Sequence, residues 1–323
     1  MNKQPNETRF RLHGDVVAVR GKRCSALYNF HTGSLSLIDH AFHDAINYLQ
    51  RVPYAQVSPQ HLDFLPPLLD GEFGYLTNNH ERFQPIPLEH HPLDAIQHAL
   101  VEYHDGMEAY DPTELLGELD VLGCQHLELR LHTDATGTEV LNRLTQWLAN
   151  LTFSSIHLVL SYREAMDTAQ LFERIPALSR ITFRNAPQEG KDSHGRRQLY
   201  YQRGPMDPIG YVPQLLRIVS RRFYSEALQF NPYYHRRIAI DRWGYIRHDL
   251  GHHLEYGHIH ECSIQQVYNS PTFRECWTAN ADRIEELQDD PCRYAIHPMV
   301  PLTLDRQRNL YTFEGYMSNY QFY

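Results

Sequence analysis

Residues 93–220 alternate between strand-like and helix-like patterns, and this alternation constrains the fold more than any other feature. Strands are predicted at residues 95–103, 126–131, 156–162, 180–184 and 198–203, and helices at 112–122, 138–151 and 164–175, with a loop at 190–195. Repeated strand–helix units form parallel sheets, and their right-handed crossovers curl the sheet towards an open or closed barrel. The chain is therefore predicted to be an α/β protein.

The first 80 residues show a different pattern, in which short strands precede helices. Strands are predicted at residues 16–19, 24–30 and 35–38, with turns between them. A helix then begins after Asp39 as N-cap, and a second begins at Ser58 and Pro59. Three strands followed by helices form a winged-helix-like layout, which we expect over residues 9–80.

Beyond residue 230 the chain is rich in turns. Ile238 and Ile240 lie at alternate positions between Arg237 and Asp241, which predicts a β-hairpin over residues 237–246 with Gly244 at positive φ. A second turn is centred on Gly257, and Ser263 is the predicted N-cap of a short helix.

Composition excludes several classes of function. The 323 residues suffice for two or three domains, and the formal net charge of −9 gives no basic footprint for nucleic acid. No apolar run approaches the ~20 residues of a membrane helix, and the polar N-terminus carries no secretory pattern. We therefore expect a cytoplasmic protein without a nucleic-acid or membrane partner.

Familiar catalytic motifs are missing from the sequence. The five cysteines are widely spaced and form no Cys-x-x-Cys pair, which argues against disulfides and against a cysteine-held zinc or iron–sulfur site. The chain contains neither a Gly-x-Ser-x-Gly nucleophile turn nor a glycine-rich phosphate loop. If ATP is used, a partner is expected to bind it.

The segment from residue 230 to 299 contains a set of spaced residues, namely Ile240, Asp241, Gly244, Ile246, Gly257, Ile259, Ser263, Phe273, Trp277, Arg293 and Tyr294. In this frame the segment resembles the SPASM domain of radical-SAM peptide maturases. The cluster cysteines of that family are replaced by Asp249, Gln288, Asp290, Ile296 and Met299. The resemblance implies a SPASM-like domain that has lost its cluster.

Residues 9–50 contain the stretch VRGKRCSALYNFHTGSLSLID at 19–39. This segment resembles the RiPP recognition element, the leader-binding domain of enzymes that modify ribosomally made peptides. The loop at 103–111, where radical-SAM enzymes carry Cys-x-x-x-Cys-x-x-Cys, has no cysteine. Residues 119–130 and 226–241 are similar to the maturases of grasp-with-spasm systems. The resemblance implies three domains: a winged-helix-like domain at 9–80, a partial radical-SAM-type β/α barrel at 93–228, and a degenerate SPASM-like domain with an aromatic tail at 229–323. Neither an iron–sulfur cluster nor S-adenosylmethionine is expected, because the thiolates that would hold the cluster are missing, and S-adenosylmethionine binds to the open iron of that cluster.

Our leading functional hypothesis is an accessory protein of peptide maturation that binds a precursor leader and presents it to a partner enzyme. The resemblance implies that this partner is an ATP-grasp ligase. The chain itself is not expected to catalyse a reaction on its own. An edge strand adds a peptide by β-augmentation. The predicted peptide-binding residues are Val17, Val19, Arg20, Lys22, Ser25, Leu27, Tyr28 and Phe30. A domain that only packs against the rest of the chain is the simpler alternative.

A second hypothesis is a metal-dependent peptide-modifying enzyme built on the histidine-rich stretch at 249–261. Imidazole and carboxylate groups are ligands for zinc or iron. The predicted ligands are Asp249, His252, His253, His258 and His260, in a stretch that also holds Glu255 and Glu261. A solvated histidine-rich loop is the alternative. A third hypothesis is a structural subunit that stabilises a partner.

Overall fold

The computed structural model describes residues 8–78, 87–90, 96–107, 109–164, 166–205 and 214–314. The chain divides into two compact units, each assembled from separated segments: unit 1 comprises residues 1–91, 213–233 and 278–323, and unit 2 comprises residues 92–212 and 234–277. Residues 229–323, which were predicted as one domain, contribute to both units.

The N-terminal part of unit 1 contains the predicted strands and helices together with a strand pair that the pattern did not predict. In chain order the elements are β1 (Arg9–Leu12), β2 (Val16–Arg20), β3 (Ser25–Asn29), β4 (Ser34–Ile38), α1 (His40–Arg51), α2 (Pro59–Leu62), α3 (Leu65–Asp70) and β5 (Gly74–Thr77). Strands β2, β3 and β4 form an antiparallel sheet, and β1 pairs with β5. The Asp39 cap is confirmed, since its carboxylate accepts a hydrogen bond from the Phe42 N–H. The predicted second helix is divided into α2 and α3.

The middle of the chain forms the strand–helix repeat of unit 2. Its elements are β6 (His98–His104), α4 (Pro112–Val121), β7 (His126–His132), α5 (Gly137–Trp147), β8 (Ser155–Ser161), α6 (Thr168–Arg174), β9 (Leu178–Arg184), β10 (Gly190–His194) and β11 (Arg197–Tyr201). The loop predicted at 190–195 was wrong, because β10 pairs with β11 as a hairpin. All five residues of β10 are exposed and none is a large apolar residue. The sequence therefore lacks the alternation of apolar and polar residues that predicts a strand.

The remainder of the chain contributes short elements to both units. In chain order they are β12 (Gln214–Arg217), α7 (Arg221–Ala227), β13 (Arg237–Ile240), β14 (Ile246–Arg247), α8 (Ile264–Tyr268), α9 (Pro271–Arg274), β15 (Ile296–Met299), β16 (Leu302–Asp305) and β17 (Leu310–Phe313). The predicted hairpin is confirmed as β13–β14, with Gly244 at φ 91°. Ser263 caps α8, as predicted, in a reciprocal box with Gln266.

Unit 2 is built on an eight-stranded sheet with the order β10-β11-β9-β8-β7-β6-β13-β14. The six strands between the two outer ones run parallel, while β10 and β14 are antiparallel to their neighbours. The predicted parallel sheet is therefore confirmed. Because β6, β7, β8 and β9 are neighbours in chain order, right-handed crossovers place α4, α5 and α6 on one face of the sheet.

The C-terminal aromatic residues are described only in part. Tyr311 and Phe313 in β17 are buried, as expected for packing. Tyr316, Tyr320, Phe322 and Tyr323 lie outside the described residues, as does most of the linker predicted at 75–94. Among the described residues no helix combines the length and the apolar character that crossing a bilayer demands.

Candidate functional site

Six of the eight predicted peptide-binding residues lie in β2 and β3, and Lys22 and Phe30 lie just beyond these strands. The β2–β3–β4 sheet is packed on both of its faces. On one face Val19 and Tyr28 join a core with Phe223 and Tyr224 of α7. On the other face Leu27 packs in a second core with apolar residues of α1 and α3. The sheet is thus a middle layer, and a ligand can reach it only at an edge.

Strand β3 is the central strand and is unavailable to a peptide backbone. Its five residues are all buried, and it pairs with β2 on one side and β4 on the other. The Tyr28 hydroxyl donates a hydrogen bond of 2.9 Å to the Pro291 carbonyl, and burial raises the pKa of Tyr28 well above its ordinary value. Ser25, Leu27 and Tyr28, which were predicted to contact a peptide, lie instead in the buried central strand and hold the core together.

The outer edge of β2 is partly occupied within unit 1. The Val16 N–H donates to the His13 carbonyl at 3.0 Å, and the Arg20 carbonyl accepts from Arg293 Nη1 at 3.1 Å. Just beyond β2, Lys22 Nζ lies 2.9 Å from Asp289 Oδ2. These contacts engage the outward backbone at both ends of β2, so a peptide strand added there would have to displace them.

The outer edge of β4 has no strand partner among the described residues. The bonds from Phe30 N to the Asp15 carbonyl and from Gly21 N to the Cys24 carbonyl show that even-numbered residues of β3 face β2. The odd-numbered residues of β3 therefore face β4 and pair there with Ser34, Ser36 and Ile38. It follows that the backbone N–H and C=O groups of the two β4 residues between these, Leu35 and Leu37, point away from the sheet.

Leu37 is also one of the exposed large apolar residues, with half of its surface accessible. Leu35 leans against the core formed with α7. The β4 edge therefore combines outward backbone groups with an apolar side chain, which is what a peptide strand requires of a docking edge. The sequence predicted a strand at this position but did not identify it as the edge strand, because local periodicity does not reveal the order of strands in a sheet.

The five predicted metal ligands are not brought together. The Asp249 carboxylate pairs with Arg237 at 2.7 Å, His258 Nε2 lies 2.8 Å from the Trp243 carbonyl, and His260 Nε2 lies 2.6 Å from the Ala109 carbonyl. All five predicted ligands belong to the described part of the chain: Asp249, His252, His253, His258 and His260. No three of them place their ligand atoms close enough to coordinate one metal ion. The rings of this stretch instead serve local packing and hydrogen bonding.

The loop after β6, where the family resemblance would place a cluster, is held by ionic contacts. Arg143 donates to both carboxylate oxygens of Asp105, at 2.7 and 2.6 Å, and the Thr133 hydroxyl also donates to this carboxylate. The Tyr110 hydroxyl donates to the Glu102 carbonyl at 2.6 Å. Glu108 lies outside the described residues.

Sequence reasoning missed a polar surface on the face of the large sheet opposite α4, α5 and α6. In β7 the leucines are buried and the alternate residues are half-buried and polar. Glu128 accepts from Arg130 Nε at 2.8 Å and lies 3.3 Å from His157 Nδ1. Burial opposes ionisation of Glu128, but the hydrogen bond with His157 and the charge of Arg130 outweigh it and hold its pKa well below the usual range. The alternation of leucine with polar residues in the β7 sequence HLELRLH could have predicted this polar face.

Comparisons with protein-family models, with curated protein sequences and with solved structures found no match for this chain.

Proposed function

We propose that this protein binds an extended peptide at the outer edge of β4 and serves as an accessory protein in the maturation of ribosomally made peptides. The observation that carries the proposal is the open edge of β4 on a sheet whose two faces are both packed. A sheet of this kind has one way to recruit a chain, which is to add a strand.

The geometry limits how tightly such a strand binds through its backbone. Leu35 and Leu37 each offer one outward N–H and one outward C=O, so about four hydrogen bonds are available. At about 1 kcal/mol net for each bond, backbone pairing alone supports only weak binding, and side-chain contacts near Leu37 must supply the rest. Sequence preference is therefore expected at alternate peptide positions.

In this proposal the N-terminal elements act as a winged-helix-like leader-binding domain, and unit 2 is a partial barrel of radical-SAM type without radical chemistry. The partner that modifies the bound peptide is an ATP-grasp ligase, as the resemblance implies. The chain itself then needs neither an iron–sulfur cluster nor S-adenosylmethionine. Binding to peptides fresh from the ribosome places the protein in the cytoplasm.

The variant Leu37→Pro is expected to weaken peptide binding at least about tenfold, because proline removes one outward N–H and clashes with an added strand. The bond between β3 and β4 is spared, since the Leu37 N–H does not point towards β3. The probe is a fluorescein-labelled peptide selected from a displayed library of random 16-residue peptides on the immobilised full chain. Fluorescence anisotropy gives its Kd.

The matched control is Leu37→Ala, which keeps the backbone N–H and loses only the side chain. We expect it to bind more tightly than Leu37→Pro. Circular dichroism checks that both variants are folded, and Leu35→Pro repeats the test at the other outward residue. The proposal fails if no peptide is selected, or if selected peptides bind both proline variants as well as the unchanged protein.

A further inference from the structure

The polar face of the unit 2 sheet contains a basic cavity. Its volume is about 340 Å³, and it lies over strands β7, β8, β9 and β11. The charged and aromatic residues that line it are Glu128, Arg130, His157, Arg180, Arg184 and Tyr200. Three guanidinium groups face a single carboxylate, so the lining carries two net positive charges with His157 neutral. This concentration of positive charge stands in a chain whose formal net charge is −9.

The one carboxylate in the lining is already engaged. Glu128 accepts from Arg130 Nε at 2.8 Å and lies against His157, whose Nε2 is 2.9 Å from the Thr182 hydroxyl. In the described part of the chain Arg130 hydrogen-bonds through its side chain to Glu128 alone, and it does so through Nε. Both terminal nitrogens of this guanidinium are therefore available to a ligand.

Arg184 lies at the end of β9 and adds a second positive group beside Arg130. Burial and the nearby charge of Arg130 lower the pKa of the Arg184 guanidinium. Two like charges at a partly desolvated site repel each other, and an anion between them removes that cost. Arg184 is oriented by a 2.6 Å hydrogen bond from Nη1 to Gln202 Oε1, which leaves its other nitrogens available to the cavity.

Arg180 completes the basic lining and is held in place by its neighbours. Its guanidinium carbon lies 5.2 Å from the centre of the Tyr200 ring. The Tyr200 hydroxyl donates to Gln198 Oε1 at 2.8 Å, which fixes the ring in turn. Side chains that are positioned before a ligand arrives lose less conformational entropy when it binds.

From this arrangement we propose that the cavity binds a small oxyanion ligand with two negative charges, in the form of carboxylate or phosphate groups. Guanidinium forks pair with both kinds of group through two parallel hydrogen bonds. The volume is at the lower end of the ~300–1,000 Å³ typical of small-molecule sites, so the ligand is a small molecule or one acidic group of a larger one. This site is separate from the β4 edge and does not depend on peptide binding.

The test is isothermal titration of the full chain with inorganic phosphate in one arm and succinate in the other, at low ionic strength. Saturable binding with a Kd of about 1 mM or lower is expected for at least one of them. The arm that binds more tightly identifies phosphate or carboxylate as the preferred chemistry. Arg130→Gln and Arg184→Gln are each expected to raise that Kd at least about tenfold, as loss of a charge-assisted hydrogen bond requires.

The matched control is Arg196→Gln, since Arg196 is an exposed arginine of the same unit in the turn between β10 and β11. It is expected to leave the Kd unchanged. A second measurement needs no variant: phenylglyoxal labelling of the unchanged protein, read by mass spectrometry, should show ligand protection of Arg130 and Arg184 but not of Arg196. The absence of saturable binding up to about 20 mM overturns the proposal, as does equal protection of all three arginines.

Discussion

Replacing Glu102 by alanine is expected to destabilise unit 2 by about 3–5 kcal/mol, the usual cost of breaking a buried ionic pair. The Glu102 side chain is only 2% exposed, and it accepts hydrogen bonds from Arg242 Nη2 at 3.0 Å and Nε at 3.2 Å. His132 Nε2 lies 2.9 Å from the same carboxylate. Alanine removes the carboxylate, while the desolvation cost of Arg242 remains.

Urea unfolding followed by tryptophan fluorescence measures this loss directly. The three tryptophans, Trp147, Trp243 and Trp277, all belong to unit 2, so the signal reports on that unit. Glu173→Ala is the matched control, because Glu173 is an exposed glutamate on α6, and it should change stability by no more than about 0.5 kcal/mol. A loss below about 1 kcal/mol in Glu102→Ala would mean that the network contributes little to stability.

The variant Glu102→Gln adds a pH signature. Burial raises the pKa of Glu102, but the hydrogen bonds with His132 and Arg242 outweigh it, so its pKa lies below the ordinary value. As the pH falls, this carboxylate is therefore protonated in the unfolded chain before it is protonated in the folded protein. The stability that ionised Glu102 contributes is fully present above its unfolded pKa and is lost as the pH falls towards its folded pKa. Glu102→Gln lacks this group and should lose less stability than the unchanged protein between about pH 5 and pH 3.

Local periodicity was sufficient to predict the parallel sheet and most helix starts. The observed ranges of β6 to β9, β11 and α4 to α6 differ from the predicted ones by a few residues at their ends, whereas β10 was predicted as a loop. Asp39 and Ser263 are the N-caps that were predicted. Apolar periodicity and N-cap residues both depend on residues that are close together in the chain, so they can be recognised in a single sequence. The pairing of β1 with β5 joins residues about 65 positions apart. No local pattern encodes such a pairing.

The candidate sites show the same limit. The sequence predicted β3 correctly as a strand, but the residues proposed for peptide contact included its buried Tyr28. Whether a strand is central or lies at an edge depends on which strands flank it, and this is a property of topology. The basic cavity likewise depends on register, because Arg130 and Arg184 come from strands separated by β8 and are 54 positions apart in sequence. Alternation alone indicates that both side chains lie on one face, but not that they share a cavity.

The variant His248→Phe is expected to remove part of the acid sensitivity of unit 2. His248 is fully buried, and its ring stacks on Phe273 with the centroids 4.1 Å apart. Burial and then the neighbouring His252 lower the pKa of His248 to about 3, and the charge of Arg237 acts in the same direction. The folded protein therefore keeps this imidazole neutral at pH values where the unfolded chain protonates it.

The sign and size of the effect follow from linkage. Between the unfolded pKa of 6.5 and the folded pKa of about 3, the unfolded state binds one more proton, so stability falls as the pH is lowered through this window. From pH 7 to pH 5 the unchanged protein should lose about 2 kcal/mol through this one group. His248→Phe has no such group, and its stability, measured relative to its own value at pH 7, should fall by about 2 kcal/mol less.

Urea unfolding at pH 7, 6 and 5, again read by tryptophan fluorescence, gives both slopes. Because each variant is compared with itself at pH 7, a general loss of stability caused by the larger phenylalanine ring does not enter the comparison. His194→Gln is the control at an exposed histidine in β10, and it should keep the slope of the unchanged protein. If His248→Phe and the unchanged protein lose stability in parallel, the proton is taken up elsewhere, and the buried ring of His248 does not set the acid sensitivity of unit 2.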